Sequence, residues 1–219
     1  MSGLCRQLHS ELEQLPLVKY PFDRERLPEN GIYFFYENGE AWGHGGDKAR
    51  IVRVGTHKEG NFRLRIIEHF LPDQEKREFD HTKSAPHDRS SFRKNLGRAL
   101  LGRDKDPYLK VWDVDFLTTA KREQYGHLRN IQKERQVENE VTRLLRKDFS
   151  IRYVALEGQG RRMGSMGLEA ALIGTLAQCD DCAPSRNWLG RYSPVGRIRE
   201  SGLWLVQHLG VPGMTNTHQ

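Results

Sequence analysis

The sequence predicts an α+β fold, a small central antiparallel β-sheet flanked by helices and carrying a mainly helical insertion. Three observations predict it. Residues 31–36 (GIYFFY) and 51–54 (IVRV) are dense in β-formers and flank a Gly-rich polar stretch at 38–46, the pattern of a β-hairpin with a long loop. Residues 153–156 (YVAL) supply a third strand far along the chain. Between and around these blocks, apolar residues recur at helical spacing.

Taken in order, residues 1–18 form an amphipathic lead-in helix through Leu8, Leu12 and Leu15, after which Pro16 and Pro21 impose an extended approach to the first strand. After the hairpin, Asn61 caps a helix running to Phe70, with Phe62, Ile66 and Phe70 every four residues on its core face. A helix is expected over 90–101, strand or loop over 108–116, and one long helix over 121–147, striped by Val137, Val141, Leu144 and Leu145. Ser165 is expected to cap a helix reaching about Ala177, and a last helix is expected over 201–209.

This order reads as a single domain over 1–219, with an N-terminal extension over 1–27, a helical insertion over about 72–148 and a C-terminal extension over 188–219.

The 219 residues carry a formal net charge of +6, and arginine outnumbers lysine 24 to 11. The guanidinium fork grips phosphate oxygens bidentately, so this balance favours a polyanionic, phosphate-bearing partner. Three cysteines, Cys5, Cys179 and Cys182, do not make a secreted disulfide framework. No signal-like run or transmembrane span is seen, so a cytoplasmic protein without membrane association is expected.

Several residues stand out as chemically capable. Arg65 and His69 share one face of the helix from Asn61, on the edge of its apolar arc. Glu169 falls inside the arc of Leu168, Leu172, Ile173 and Leu176, where an unpaired carboxylate is costly unless a cation or donors satisfy it, and a hard divalent ion is a natural partner. Gly158, Gly160, Arg161, Arg162 and Gly164 precede that helix and could face a phosphate. Cys179 and Cys182 form a lone CxxC without further ligands nearby in sequence, so helix-end packing or free thiols is the simpler expectation. His44, His57, His81 and His87 are scattered in loops without a zinc-protease pattern, and no Gly-x-Ser-x-Gly elbow occurs.

The order Gly31-Ile32-Tyr33, Arg53-Val54-Gly55, Arg65 with His69, Glu169, and Pro184-Ser185-Arg186-Asn187 resembles the GIY-YIG nuclease superfamily. The resemblance covers 31–70 and 153–187. It implies a DNA endonuclease with a Gly-Ile-Tyr strand, a Tyr-Ile-Gly strand, a helix bearing Arg and His, a metal-binding Glu and a later Asn. Arg53 departs from this pattern, standing where the family usually has Tyr.

The resemblance implies that Glu169 holds one Mg²⁺ or Mn²⁺ ion and that Tyr33 acts as general base or positions water beside His69. It further implies that Arg65 stabilises the transition state and that Asn187 orients the site. Arg93, Lys94, Arg98, Arg161 and Arg162 are the expected phosphate contacts on DNA, with duplex DNA as the expected partner. A homodimer is compatible with the sequence. A restriction-type enzyme is favoured, with a repair or branched-DNA nuclease next; the alternative of another class is a DNA-binding module that kept the fold and altered its catalysis.

Overall fold

The computed structural model describes residues 2–74, 77–156 and 162–214. The hairpin strands are β2 (Gly31–Ala41) and β3 (Ala49–Thr56), preceded by α1 (Ser2–Glu13) and the short β1 (Val18–Lys19). Helix α2 (Phe62–Phe70) follows. The insertion contributes α3 (Pro86–Arg89), α4 (Ser91–Arg103), α5 (Leu109–Trp112), α6 (Thr119–Tyr125) and α7 (Ile131–Asp148). Strand β4 (Phe149–Ala155), α8 (Leu168–Ala177) and α9 (Gly196–Ser201) complete the order.

Among the described residues the sheet has four antiparallel strands in the order β1-β4-β2-β3. The GIYFFY block lies at its centre, and its alternation decides what each face buries. Tyr33 and Phe35 join a core with Phe62, Ile66 and Phe70 of α2, Phe92 and Leu96 of α4, and Val141 and Leu145 of α7. Ile32, Phe34 and Tyr36 join a second core with Cys5 and Leu12 of α1 and Leu172, Ile173 and Leu176 of α8. A strand covered on both faces is continuously apolar, as residues 31–36 are.

Several local expectations are corrected. The long helix over 121–147 is two helices, because Asn130 accepts from the Lys133 N–H at 3.0 Å and restarts the helix as a cap. Just before it, the buried Arg129 guanidinium is tied to Glu134 and to the carbonyls of Asp80, His81 and Lys83. The 108–116 stretch contains the short α5, whose Trp112 fits against Gly97 of α4, where a β-carbon would overlap the indole.

Asn61 does not cap α2 with its side chain, which donates instead to the Glu59 carbonyl. Helix α8 begins at Leu168 after Gly167, not at Ser165. The last helix lies earlier than expected, ending at Gly202 with a left-handed φ of 68°, and buried residues Leu203, Trp204 and Leu205 follow it. Trp204 N–H donates to the Val52 carbonyl at 2.8 Å, pinning this segment to β3. No helix among the described residues is long and apolar enough to cross a membrane.

Candidate active site

The first hairpin strand delivers Tyr33, and the second makes room for it. Tyr33 pairs with Gly55 across the β2–β3 ladder. The phenol occupies the space that a β-carbon at position 55 would fill. Gly31 is required for a similar reason, since a β-carbon there would press on the Val154 carbonyl and the Phe62 ring. Both glycines therefore serve close packing beside the same tyrosine.

Helix α2 brings the next two groups. The Tyr33 hydroxyl lies 3.1 Å from Nε2 of His69, and Nδ1 of His69 lies 2.8 Å from Oγ of Ser90. Ser90 also caps α4, accepting from the Arg93 N–H at 3.2 Å. His69 is fully buried between Tyr33, Phe35 and Phe92. Burial, with Arg65, Arg53 and Arg93 nearby, holds its pKa well below the usual histidine value, so the imidazole is neutral.

Arg65, four residues before His69, donates to Glu68 at 2.9 Å and to the Arg89 carbonyl at 2.7 Å. These bonds fix the guanidinium at the rim of a cavity of about 320 Å³. Tyr33, Arg53, Thr56, Arg65 and Glu169 all line this cavity. Arg53 is buried, donating to the Trp204 carbonyl at 2.5 Å and lying 4.9 Å from the centre of the Phe92 ring.

Glu169 reaches the cavity from the first turn of α8. One carboxylate oxygen accepts from the Thr56 N–H at 3.2 Å. Burial raises the carboxyl pKa, opposed by the Thr56 hydrogen bond and the positive Arg53. A half-buried carboxylate with an oxygen still available beside open volume suits a hard divalent ion, which prefers oxygen donors and retains several waters.

The predicted residues thus separate into two groups. Tyr33, Arg53, Arg65 and Glu169 line one cavity, with His69 directly behind Tyr33. Asn187 does not join them. It is exposed, and neighbouring Ser185 is bonded to Glu40 through both its N–H and hydroxyl. Glu40 lies near the opposite end of β2 from Tyr33, a separation on the order of 20 Å at ~3.3 Å per residue.

The expected phosphate contacts also require correction. Arg93 is fully buried, bonded to Glu138, Thr142 and the His69 carbonyl. Lys94 turns inward to the Val114 carbonyl, and Arg98 is engaged by Asp113 and Asn95. These side chains brace the insertion, because α4 runs through the interior and not along a surface. Arg162 is buried and donates to Asn30 at 3.3 Å, whereas Arg161 lies outside the described residues.

Ser90, Thr56, His57, Asn95 and His208 are the participants that sequence reasoning missed. His57, Asn95 and His208 line the cavity with the predicted set. Ser90 had a local signal, as a serine at the start of a helical pattern; its contact with His69 did not.

A separate group of ligand atoms lies elsewhere. Cys5, His9, His44 and Cys182 bring theirs within 4.8 Å of one another, as do His44, Cys179 and Asp181, so this cluster is able to hold a metal ion. It shares no residue with the Tyr33 cavity. The CxxC is therefore not isolated as the sequence suggested.

Comparison with known families matches residues 3–213 to the GIY-YIG domain. Neither the curated proteins nor the solved structures compared with the chain gave a match.

Proposed function

From the membership of this chain in the GIY-YIG domain family, we propose that it is a divalent-metal-dependent DNA endonuclease whose reaction takes place in the Tyr33 cavity. The observation that carries the reading is the convergence of Tyr33, Arg65 and Glu169 on one cavity, with the phenol bonded to a neutral histidine.

In the proposed reaction, water attacks phosphorus, a new P–O bond forms and the bond to the leaving oxygen breaks, that oxygen keeping the bonding pair and taking a proton from solvent. Tyr33 orients the water and takes its proton while passing the phenolic proton to Nε2 of His69. Nδ1 of His69, protonated and donating to Ser90, leaves Nε2 as the acceptor. A neutral imidazole is the form this relay needs. Arg65 and Arg53 face the charge that builds on the phosphate oxygens, a contribution worth a few kcal/mol in comparable sites.

Glu169 would hold the divalent ion, Mg²⁺ or Mn²⁺, which when bound polarises the scissile phosphate and steadies the leaving oxygen. The positive balance of the chain supports DNA as the substrate. A restriction-type enzyme acting on duplex DNA is the finer form of the proposal.

Incubation of supercoiled plasmid with the protein in Mg²⁺, Mn²⁺ or EDTA tests the reading. Metal-dependent nicking or discrete fragments are expected, with cleavage lost in Glu169→Ala and Tyr33→Phe. Salt-sensitive DNA binding without cleavage in any of the proteins would favour a binding module built on the same fold.

A further inference from the structure

We propose that Cys5, His44, Cys179 and Cys182 form a structural zinc site that fastens the N-terminal helix, the hairpin loop and the end of α8 together. The ligands come from three separated segments: Cys5 from α1, His44 from the β2–β3 connection, and the CxxC from the turn after α8. All four side chains are buried or nearly so.

Three of the ligand spacings match a tetrahedral centre, and Cys179, whose sulfur groups with His44 and Asp181, would close onto the other two sulfurs as the ion binds. With Zn–S of about 2.3 Å and Zn–N of about 2.0 Å, a tetrahedron places sulfurs about 3.8 Å apart and sulfur about 3.5 Å from nitrogen. The Cys5 and Cys182 sulfurs are 3.7 Å apart, and Nε2 of His44 is 3.6 Å from the Cys179 sulfur and 3.4 Å from that of Cys182. A disulfide would require about 2.05 Å between sulfurs. Three thiolates with an imidazole form a soft, closed donor set that selects zinc over magnesium.

The surroundings are built for the same purpose. Nδ1 of His44 lies 3.4 Å from a carboxylate oxygen of Asp181, so the carboxylate stands behind the ligand and directs Nε2 toward the sulfurs. Gly43 has no alternative at its position, since a β-carbon would run into the Asp181 carbonyl. The indole of Trp42 meets the His44 ring edge-on at 5.2 Å.

His9 lies close by but is committed elsewhere. Its Nε2 accepts the Ile51 N–H at 3.1 Å, which leaves Nδ1 to carry the ring proton and donate to the Cys5 carbonyl at 2.9 Å. Both nitrogens are thereby used within the protein, so although His9 lies within reach of Cys5, His44 and Cys182, the fourth ligand is assigned to Cys179, whose sulfur is 3.6 Å from Nε2 of His44.

The site is independent of the Tyr33 cavity, so its test does not depend on nuclease activity. The reduced full chain, freed of metal and titrated with Co²⁺ and then Zn²⁺, should take up about one ion. The cobalt form should show the visible bands of tetrahedral thiolate coordination, which zinc should bleach. Cys5→Ser and Cys179→Ser should lose these bands, His9→Gln should retain them, and Asp181→Asn should weaken zinc affinity by about 10-fold. Failure of the reduced, folded wild type to bind either ion would overturn the proposal. Loss of the bands in His9→Gln with retention in Cys179→Ser would overturn the ligand assignment.

Discussion

Gly55 stands directly across the β2–β3 ladder from Tyr33, and the phenol fills the space that a side chain at position 55 would need. Tyr33 is consequently positioned by an absence of atoms as much as by its bond to His69. Gly55→Ala should displace the ring and lower cleavage by about 100-fold, the scale expected for a misplacement near 1 Å. Overpacking should also lower stability by about 1–3 kcal/mol. Single-turnover cleavage and thermal denaturation of the same preparation measure both effects.

His69 is expected to work as a neutral base relay. Its buried imidazole, with a pKa well below 6.5, predicts that the cleavage rate keeps no histidine inflection near pH 6.5. The acid limb should lie well below that value. His69→Ala should reduce the rate by about 10²–10⁴-fold, the usual range for loss of acid–base assistance. A pH–rate profile of the wild type, with the variant measured at neutral pH, checks the assignment.

The hairpin and α2 were legible in the sequence because their signals are local: β-formers around a Gly-rich turn, then a four-residue apolar repeat. Those elements carry Tyr33, Arg65 and His69, so much of the candidate site followed from them. The partners of these residues were hidden because they arrive from distant segments. Ser90 reaches His69 from the insertion, and Trp204 reaches Arg53 from beyond α9. Net charge gave no indication that Arg93 would be buried against Glu138, since an arginine on a polar-looking helix reads alike whether it meets solvent or an internal carboxylate. Asn187 was misplaced because sequence order does not reveal that Ser185 anchors its loop to Glu40.

The buried Arg93–Glu138 pair should govern stability. Removal of one partner leaves an uncompensated charge, and Arg93→Met should cost about 3–5 kcal/mol. Denaturant unfolding measures the loss. Arg93→Met should leave the salt dependence of DNA binding unchanged wherever the variant remains folded, because its guanidinium has no access to phosphate.

Acid should weaken the fold through two identifiable groups. Burial opposes the charge on Glu138, but Arg93 and His87 prevail and hold its carboxyl down to about 2 from an ordinary 4.5. Its stabilisation is present above pH 4.5 and is lost as pH falls toward 2. His69 stays neutral in the folded chain while the unfolded chain protonates, so its contribution is present above pH 6.5 and falls as pH drops below that value. Thermal unfolding between pH 8 and 3 should decline in both windows, and Glu138→Gln should flatten the lower one.

The most direct test of the proposed chemistry is single-turnover cleavage of DNA by wild type and Glu169→Gln across a Mg²⁺ titration, with DNA binding measured in parallel. The proposed role of Glu169 predicts that the variant still binds DNA but cleaves at least about 10³-fold more slowly at saturating metal, the upper range for loss of one transition-state stabilising group. Cleavage by Glu169→Gln at the wild-type rate, with the same Mg²⁺ dependence, would contradict it.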